Sequence, residues 1–163
     1  PRGHAIECRL YAEDPYTVGI PSTGEIGFQH WPSGPGRRFD YGYDSGDEVT
    51  AYYDSMMAKV IVWDENRPRA IQKMLKTLDD TIIFGVKSNI PLLKQILSHP
   101  DFISGEFTTQ FMGENFPNGG IEESLSEDES VFTQLAFQQS VEAASLNQGE
   151  QHKSPWSTSW RNV

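Results

Sequence analysis

Apolar and polar residues alternate at the start of the chain, in the stretch GHAIECRLYAEDP. The apolar residues occupy every second position: Ile6, Cys8 and Leu10. The positions between them place Glu7, Arg9 and Tyr11 on the opposite face of an extended backbone. Glu13 continues this polar face. The alternation predicts a strand over residues 3–12 with one buried face.

Four further runs are rich in apolar or β-branched residues and are bounded by the Gly, Pro, Ser and Asp residues typical of turns. They predict strands over residues 24–31, 37–43, 58–63 and 78–84. A helix over residues 67–78 is indicated by apolar residues at helical spacing: Ala70, Ile71, Met74, Leu75 and Leu78. A second helix is predicted over residues 89–96. Because strands joined by short turns pair antiparallel, the predicted fold class is α+β, one mostly antiparallel sheet with packed helices.

The composition changes after residue 116. The segment PNGGIEESLSEDES combines Gly, Ser and acidic residues, as linkers do, and residues 131–146 can form one more amphipathic helix. We therefore predict a folded domain over residues 1–116 and a linker with an extension over residues 117–163. The chain begins with Pro1 rather than Met, so we expect it to be part of a larger protein.

Charge and composition narrow the class of partner. The net charge of −10 among 163 residues disfavours a nucleic-acid partner, which requires a basic surface. No apolar run reaches the length of a membrane span, so we expect no membrane partner. A single cysteine cannot form an internal disulfide, which favours a reducing compartment such as the cytoplasm.

Two polar side chains have two interpretations each. Arg9 either belongs to a solvated strand face with weak ion pairs, or is held by Glu7 so that its guanidinium binds carboxylate or carbonyl oxygens. Asp54 either accepts hydrogen bonds from its own turn or orients Arg9 across the sheet. The residues alone leave these alternatives open.

Other common sites are not indicated. The glycines of PSGPGRR match neither dinucleotide nor P-loop spacing, so this stretch is predicted to be a turn. Arg37 and Arg38 form a short basic island that suits an intersubunit ion pair. The four histidines and one cysteine lack the spacing of zinc ligands, and no nucleophile elbow is present. We therefore predict no metal site.

Four stretches together resemble the C-terminal domain of biotin carboxylase, from the ATP-grasp biotin-dependent carboxylases. In chain order they are RGHAIECRLYAEDP, PSTGEI, YYDSMMAKVIVW and NRPRAIQKM. The resemblance covers about residues 2–116 and implies part of an enzyme that uses ATP and bicarbonate to carboxylate carrier-bound biotin. The extension after residue 116 is similar to the linker region of acyl-CoA carboxylase alpha chains.

The resemblance also implies roles for individual residues. Arg9, the arginine of the E-C-R motif, would lie beside the ureido oxygen of biotin as the catalytic residue. Asp54 would neighbour and hold this arginine, and Glu7 and Tyr53 would support it.

Two further pairs of residues have implied roles. Thr109 and Gln110 would border the ATP pocket, while Pro35 and Arg38 match a dimer contact. ATP and magnesium would be bound mainly by other domains, so the isolated chain is expected to be inactive.

The implied partners are the remainder of the carboxylase chain, the biotin carboxyl carrier domain, a carboxyltransferase subunit and a second copy of the parent enzyme. The implied compartment is the cytoplasm, or the mitochondrial matrix in a eukaryote. Two alternatives stay open: a non-catalytic module for subunit interaction, and the C-terminal domain of another ATP-grasp ligase.

Overall fold

The structure is a computed structural model and describes residues 2–17 and 19–116. The strands are β1 (His4–Tyr11), β2 (Gly24–Glu25), β3 (Phe28–His30), β4 (Arg37–Tyr41), β5 (Glu48–Val49), β6 (Met56–Asp64) and β7 (Ile82–Phe84). The helices are α1 (Arg67–Asp80), α2 (Ile90–Ser98), α3 (Pro100–Ser104) and α4 (Phe111–Asn115). All the strand pairs are antiparallel, which confirms the predicted α+β class. The predicted helix over residues 131–146 and the extension over residues 117–163 lie outside the described residues.

The main sheet has three strands in the order β1-β6-β4. Ile6 lies opposite Val62 and Arg9 opposite Lys59 in the long ladder between β1 and β6. The register shifts between Leu10 and Tyr11, near the end of β1. Because β6 is central, β1 keeps one edge free to meet the helices.

The prediction of a single sheet is wrong, since residues 24–31 form two short strands in two separate ladders. β2 pairs with β5, and β3 pairs with β7. The break falls at Ile26, which is fully buried and donates its backbone N–H to Asp47 O, whereas Gly27 N–H donates to Phe84 O. The chain therefore changes hydrogen-bonding partner within two residues.

Helix α1 follows the predicted apolar face and packs against the main sheet. Asn66 caps it by accepting a hydrogen bond from Arg69 N–H at 3.0 Å. The helix continues past the predicted end to Asp80, so the strand expected over residues 78–84 starts only at Ile82. Together with Leu97 of α2, helix and sheet form one buried cluster, whose members are Ile6, Cys8, Val60, Val62, Ala70, Ile71, Met74, Leu78 and Leu97.

A second buried cluster lies at the C-terminal end of β1. Its members are Leu10, Ala12, Ile26, Val49, Met57 and Ala58. Ile90 and Leu93, both in the first turns of α2, pack against this cluster and the first one. The start of α2 is therefore anchored beside the free edge of β1.

The ion pair between Asp64 and Lys73 links the end of β6 to α1 and should make stability depend on pH. Lys73 Nζ lies 2.9 Å from Asp64 Oδ2, and this contact, with the backbone N–H of Glu65, lowers the pKa of Asp64 below its ordinary value. A carboxyl whose pKa is lower in the folded state stabilises the fold above its unfolded pKa, and this contribution is lost as the pH falls through the folded pKa.

We expect Asp64→Asn to lower the free energy of unfolding at about pH 6 and to have a much smaller effect at about pH 2. Urea unfolding of both proteins at the two pH values measures this. An equal difference at both would show that the Asp64 carboxylate does not act through its charge.

Candidate functional site

A cleft of about 360 Å³ lies beside β1. One wall comes from β1 and the segment just after it, and it carries the polar side chains of Glu7, Arg9, Tyr11 and Glu13. The facing wall is apolar and comes from α2, α3 and α4. Its residues are Leu92, Leu93, Ile96, Leu97, Phe102 and Met112. A charged strand face opposite an apolar wall is suited to a ligand with one polar and one apolar part.

Arg9 lies on the exposed face of β1, as the alternation predicts. Its Nε is 3.7 Å from Glu7 Oε1, and the two side chains are 63% and 45% exposed. An ion pair this exposed contributes little to folding stability. Among the described residues, Glu7 is the only carboxylate within 4 Å of this guanidinium. Most of its N–H groups can therefore bind a ligand oxygen.

In the described part of the chain, Asp54 forms no hydrogen bond or ion pair with Arg9. Instead, Asp54 Oδ1 accepts a hydrogen bond from Met56 N–H at 3.1 Å, in its own turn. The strand register explains the separation, because Arg9 lies opposite Lys59, five residues beyond Asp54. The neighbouring Tyr53 is 82% exposed in the same turn.

Ser55 joins this turn to the cleft, a role that no sequence pattern indicates. Its Oγ donates to Glu13 Oε1 at 2.9 Å, and its backbone O accepts from Ala12 N–H at 2.8 Å. Ser55 is buried, whereas Tyr52 and Tyr53 before it are highly exposed. The YYDS stretch thus reaches the cleft through Ser55 rather than through Asp54.

Asn89 contacts the free edge of β1 next to Arg9. Its side-chain Nδ2 donates to Arg9 O at 3.1 Å, and its Oδ1 accepts from Tyr11 N–H at 2.9 Å. From the sequence, Asn89 was predicted only as the start of a helix. Pro91 is a sequence signal that bears on this contact. It occupies the second position of the helix and has no backbone N–H, so one of the groups that an Asn89 side chain would normally cap is missing.

Thr109 and Gln110 lie exposed immediately before α4, whose Met112 lines the cleft. Gln110 N–H donates to Thr108 Oγ1 at 3.1 Å, and its side chain makes no capping bond. Both side chains therefore face solvent near the apolar wall.

Pro35 and Arg38 are exposed on the turn before β4 and on β4 itself. Arg38 forms a bidentate contact with Asp40, at 2.8 Å from Nε to Oδ1 and 3.1 Å from Nη2 to Oδ2. Lys59 lies 3.4 Å from the same carboxylate. The guanidinium of Arg38 thus already has an acidic partner within its own chain.

The remaining chemistry of the described residues is limited. Cys8 is buried in the lining of the cleft, and burial, with the nearby Glu7 charge, raises its pKa to about 12, so it stays a thiol. No group of three or more His, Cys, Asp or Glu side chains in residues 2–17 and 19–116 could hold a metal ion. No helix within these ranges is long and apolar enough to span a membrane.

Comparison with known proteins connects the chain to one family. Biotin carboxylase of Halalkalibacterium halodurans is 48% identical over 111 residues, which are 68% of this chain and 24% of that protein. The mitochondrial propionyl-CoA carboxylase alpha chain of Sus scrofa is 40% identical over 129 residues, covering 78% of this chain and 18% of that protein. The chain thus spans about a fifth to a quarter of the length of these relatives.

Solved structures agree. The biotin carboxylase domain dimer of Hydrogenobacter thermophilus 2-oxoglutarate carboxylase, in complex with MgADP, ADP and bicarbonate, matches with a TM-score of 0.69 at 40% identity. The match covers 75% of this chain and 27% of that one. The sequence model of the family described as "Biotin carboxylase C-terminal domain" matches residues 7–114. The chain therefore belongs to the biotin carboxylase C-terminal domain family.

Proposed function

We propose that this chain is the C-terminal domain of a complete biotin carboxylase, an ATP-dependent ligase that carboxylates biotin with bicarbonate. The observation that carries the proposal is the guanidinium of Arg9. It is exposed at a cleft with one apolar wall, and Glu7 is its one nearby carboxylate in the described part of the chain. The similarity to biotin carboxylases over most of residues 2–116 supports the choice of reaction.

Arg9 would stabilise negative charge on the ureido oxygen of biotin. Carboxylation requires the ureido nitrogen to lose a proton, and the resulting charge is shared with the ureido oxygen. A guanidinium fixed beside that oxygen lowers the energy of the charged state where the charge develops. Glu7 would restrict the guanidinium without satisfying all of its N–H groups.

The apolar wall would receive the less polar part of the biotin group. Leu92, Ile96 and Met112 face the strand across the cleft, and apolar surface of this kind binds a ring system and aliphatic chain by excluding water. Biotin itself would carry the transferred carboxyl group. Binding at this site requires the carrier domain to bring biotin to the polar wall.

ATP and magnesium would be bound mainly outside the described residues. In support, the Hydrogenobacter thermophilus structure holds MgADP and bicarbonate, and this chain covers only 27% of it. Within the chain, we propose that Thr109 and Gln110 contact the nucleotide, since both are exposed just before α4.

We propose the same partners that the resemblance implies. They are the remaining domains of the carboxylase, a biotin carrier domain, a carboxyltransferase subunit and a second copy of the enzyme, with Pro35 and Arg38 at the dimer contact. The solved relative from Hydrogenobacter thermophilus is a dimer of biotin carboxylase domains. Several relatives are mitochondrial, which supports the matrix as the compartment in a eukaryote and the cytoplasm otherwise.

The proposal is tested by comparing the complete carboxylase with the 163-residue chain. The complete enzyme is expected to fix labelled bicarbonate onto free biotin only when ATP is present. The chain alone should neither hydrolyse ATP nor carboxylate biotin. If the complete enzyme consumes no ATP and fixes no bicarbonate, the chain belongs instead to a module for subunit interaction.

A further inference from the structure

We propose that Asn89 is a positioning residue for Arg9. Its side-chain amide bonds to the backbone of β1 on both sides of Leu10, and so sets the direction in which the Arg9 side chain leaves the strand. This inference rests on the proposed function of Arg9.

Three hydrogen bonds connect Asn89 to β1. Its Nδ2 donates to Arg9 O at 3.1 Å, its Oδ1 accepts from Tyr11 N–H at 2.9 Å, and its own backbone N–H donates to Tyr11 O at 3.2 Å. β1 is an edge strand, with β6 on its other side. One residue therefore satisfies three backbone groups of the free edge, namely Arg9 O and both the N–H and O of Tyr11, much as a neighbouring strand would.

The contact falls where the ladder is least regular. The pairing between β1 and β6 shifts register between Leu10 and Tyr11, one residue beyond Arg9. Irregularities of this kind twist the strand and redirect nearby side chains. Asn89 bridges the shift, because it holds the carbonyl before it and the N–H after it.

The side chain of Asn89 does not serve its own helix. Asn89 is the N-cap residue of α2, a position where asparagine normally accepts from the first turn of the helix, yet its side chain makes no such bond. The residue is 8% exposed, and both of its polar side-chain atoms are directed to β1. A helix cap alone does not explain this arrangement.

The backbone of Asn89 is itself well anchored. Ile90 and Leu93, which follow it, pack against both buried clusters of the domain. Packing of these two residues in the core therefore fixes the backbone of Asn89, and Asn89 in turn fixes the edge of β1. Since misplacing a catalytic group by about 1 Å can cost roughly a hundredfold in rate, this support matters for Arg9.

The test is a double-mutant cycle on turnover of biotin by the complete carboxylase. We expect Asn89→Ala to lower kcat by about ten- to a hundredfold, because Arg9 loses its orientation. In an enzyme that already carries Arg9→Gln, the same change should lower kcat by less than about twofold, since residues that act through one another are not additive. The KM for ATP should not change in either background.

Asn66→Ala is the matched control, because Asn66 also holds a backbone N–H and caps α1 away from the cleft. It should lower the thermal stability of the enzyme and leave kcat unchanged. Asn89→Asp keeps the acceptor for Tyr11 N–H but cannot donate to Arg9 O, so it carries the same cycle if Asn89→Ala does not fold.

Two results would overturn the inference in different ways. In the first, Arg9→Gln slows the enzyme, but Asn89→Ala lowers kcat by the same factor with and without Arg9→Gln. Asn89 would then stabilise the domain in general, and the role of Arg9 would stay intact. A normal Arg9→Gln enzyme would overturn the proposed function of Arg9, and the positioning role with it.

Discussion

Replacing Arg9 by glutamine should slow the carboxylation of biotin by the complete carboxylase by about a hundred- to a thousandfold. Glutamine still donates a hydrogen bond but carries no charge, so it stabilises the developing charge on the ureido oxygen much less. Removing a donor of the oxyanion-hole kind costs about 2.7–4 kcal/mol in the transition state, which corresponds to this loss in kcat. The KM for ATP should change little, because the proposal places the nucleotide mainly outside this chain.

Arg69→Gln provides the control for this experiment. Arg69 is 60% exposed on α1 and pairs with Glu65, much as Arg9 is 63% exposed and pairs with Glu7. Both changes remove one exposed guanidinium from a Glu–Arg pair, and both should leave the melting temperature nearly unchanged. Steady-state carboxylation and thermal unfolding of both variants measure the difference. Near-normal turnover in Arg9→Gln would show that the polar face of β1 is only a solvated surface.

Met74→Asp should be the most destabilising of the substitutions considered. Met74 is fully buried in the cluster between α1 and the main sheet. An aspartate there either buries an unpaired charge or forces the helix away from the sheet, at a cost of about 3–5 kcal/mol. Such a cost is a large share of the roughly 5–15 kcal/mol that stabilises an ordinary domain.

Gln72→Asp separates burial from helix propensity, because Gln72 is exposed on the same helix. Urea unfolding of the 163-residue chain should show a large loss for Met74→Asp and a loss below about 1 kcal/mol for Gln72→Asp. Similar losses of unfolding free energy in the two variants would indicate that an aspartate is no more destabilising at Met74 than on the exposed face of α1.

The alternation of β1 and the apolar face of α1 were predictable because each depends on local periodicity. The buried positions Ile6, Cys8 and Leu10 follow from a period of two, and the exposure of Arg9 follows with them. Similarly, Met74 follows from helical spacing. In each case the prediction needs only residues within a few positions of one another.

The missing contact between Asp54 and Arg9, and the contact with Asn89, depend on pairing between distant parts of the chain. Which residue of β6 lies opposite Arg9 is set by the register of the ladder, and the neighbouring turn sequence does not reveal it. The break at Ile26 likewise depends on partners near residues 47 and 84. Short ladders of two or three residues have too little periodicity to be detected in a sequence.

The bonds between Asn89 and β1 also constrain the order in which the domain assembles. They join residues 78 and 80 positions apart, so they form only after both β6 and the start of α2 are available. During synthesis the free edge of β1 therefore lacks these bonds until residue 89 has been made. An open strand edge pairs readily with other chains, and contacts of long sequence separation form slowly. A nascent chain that pauses before residue 89 would thus present the open edge of β1 as a site for aggregation.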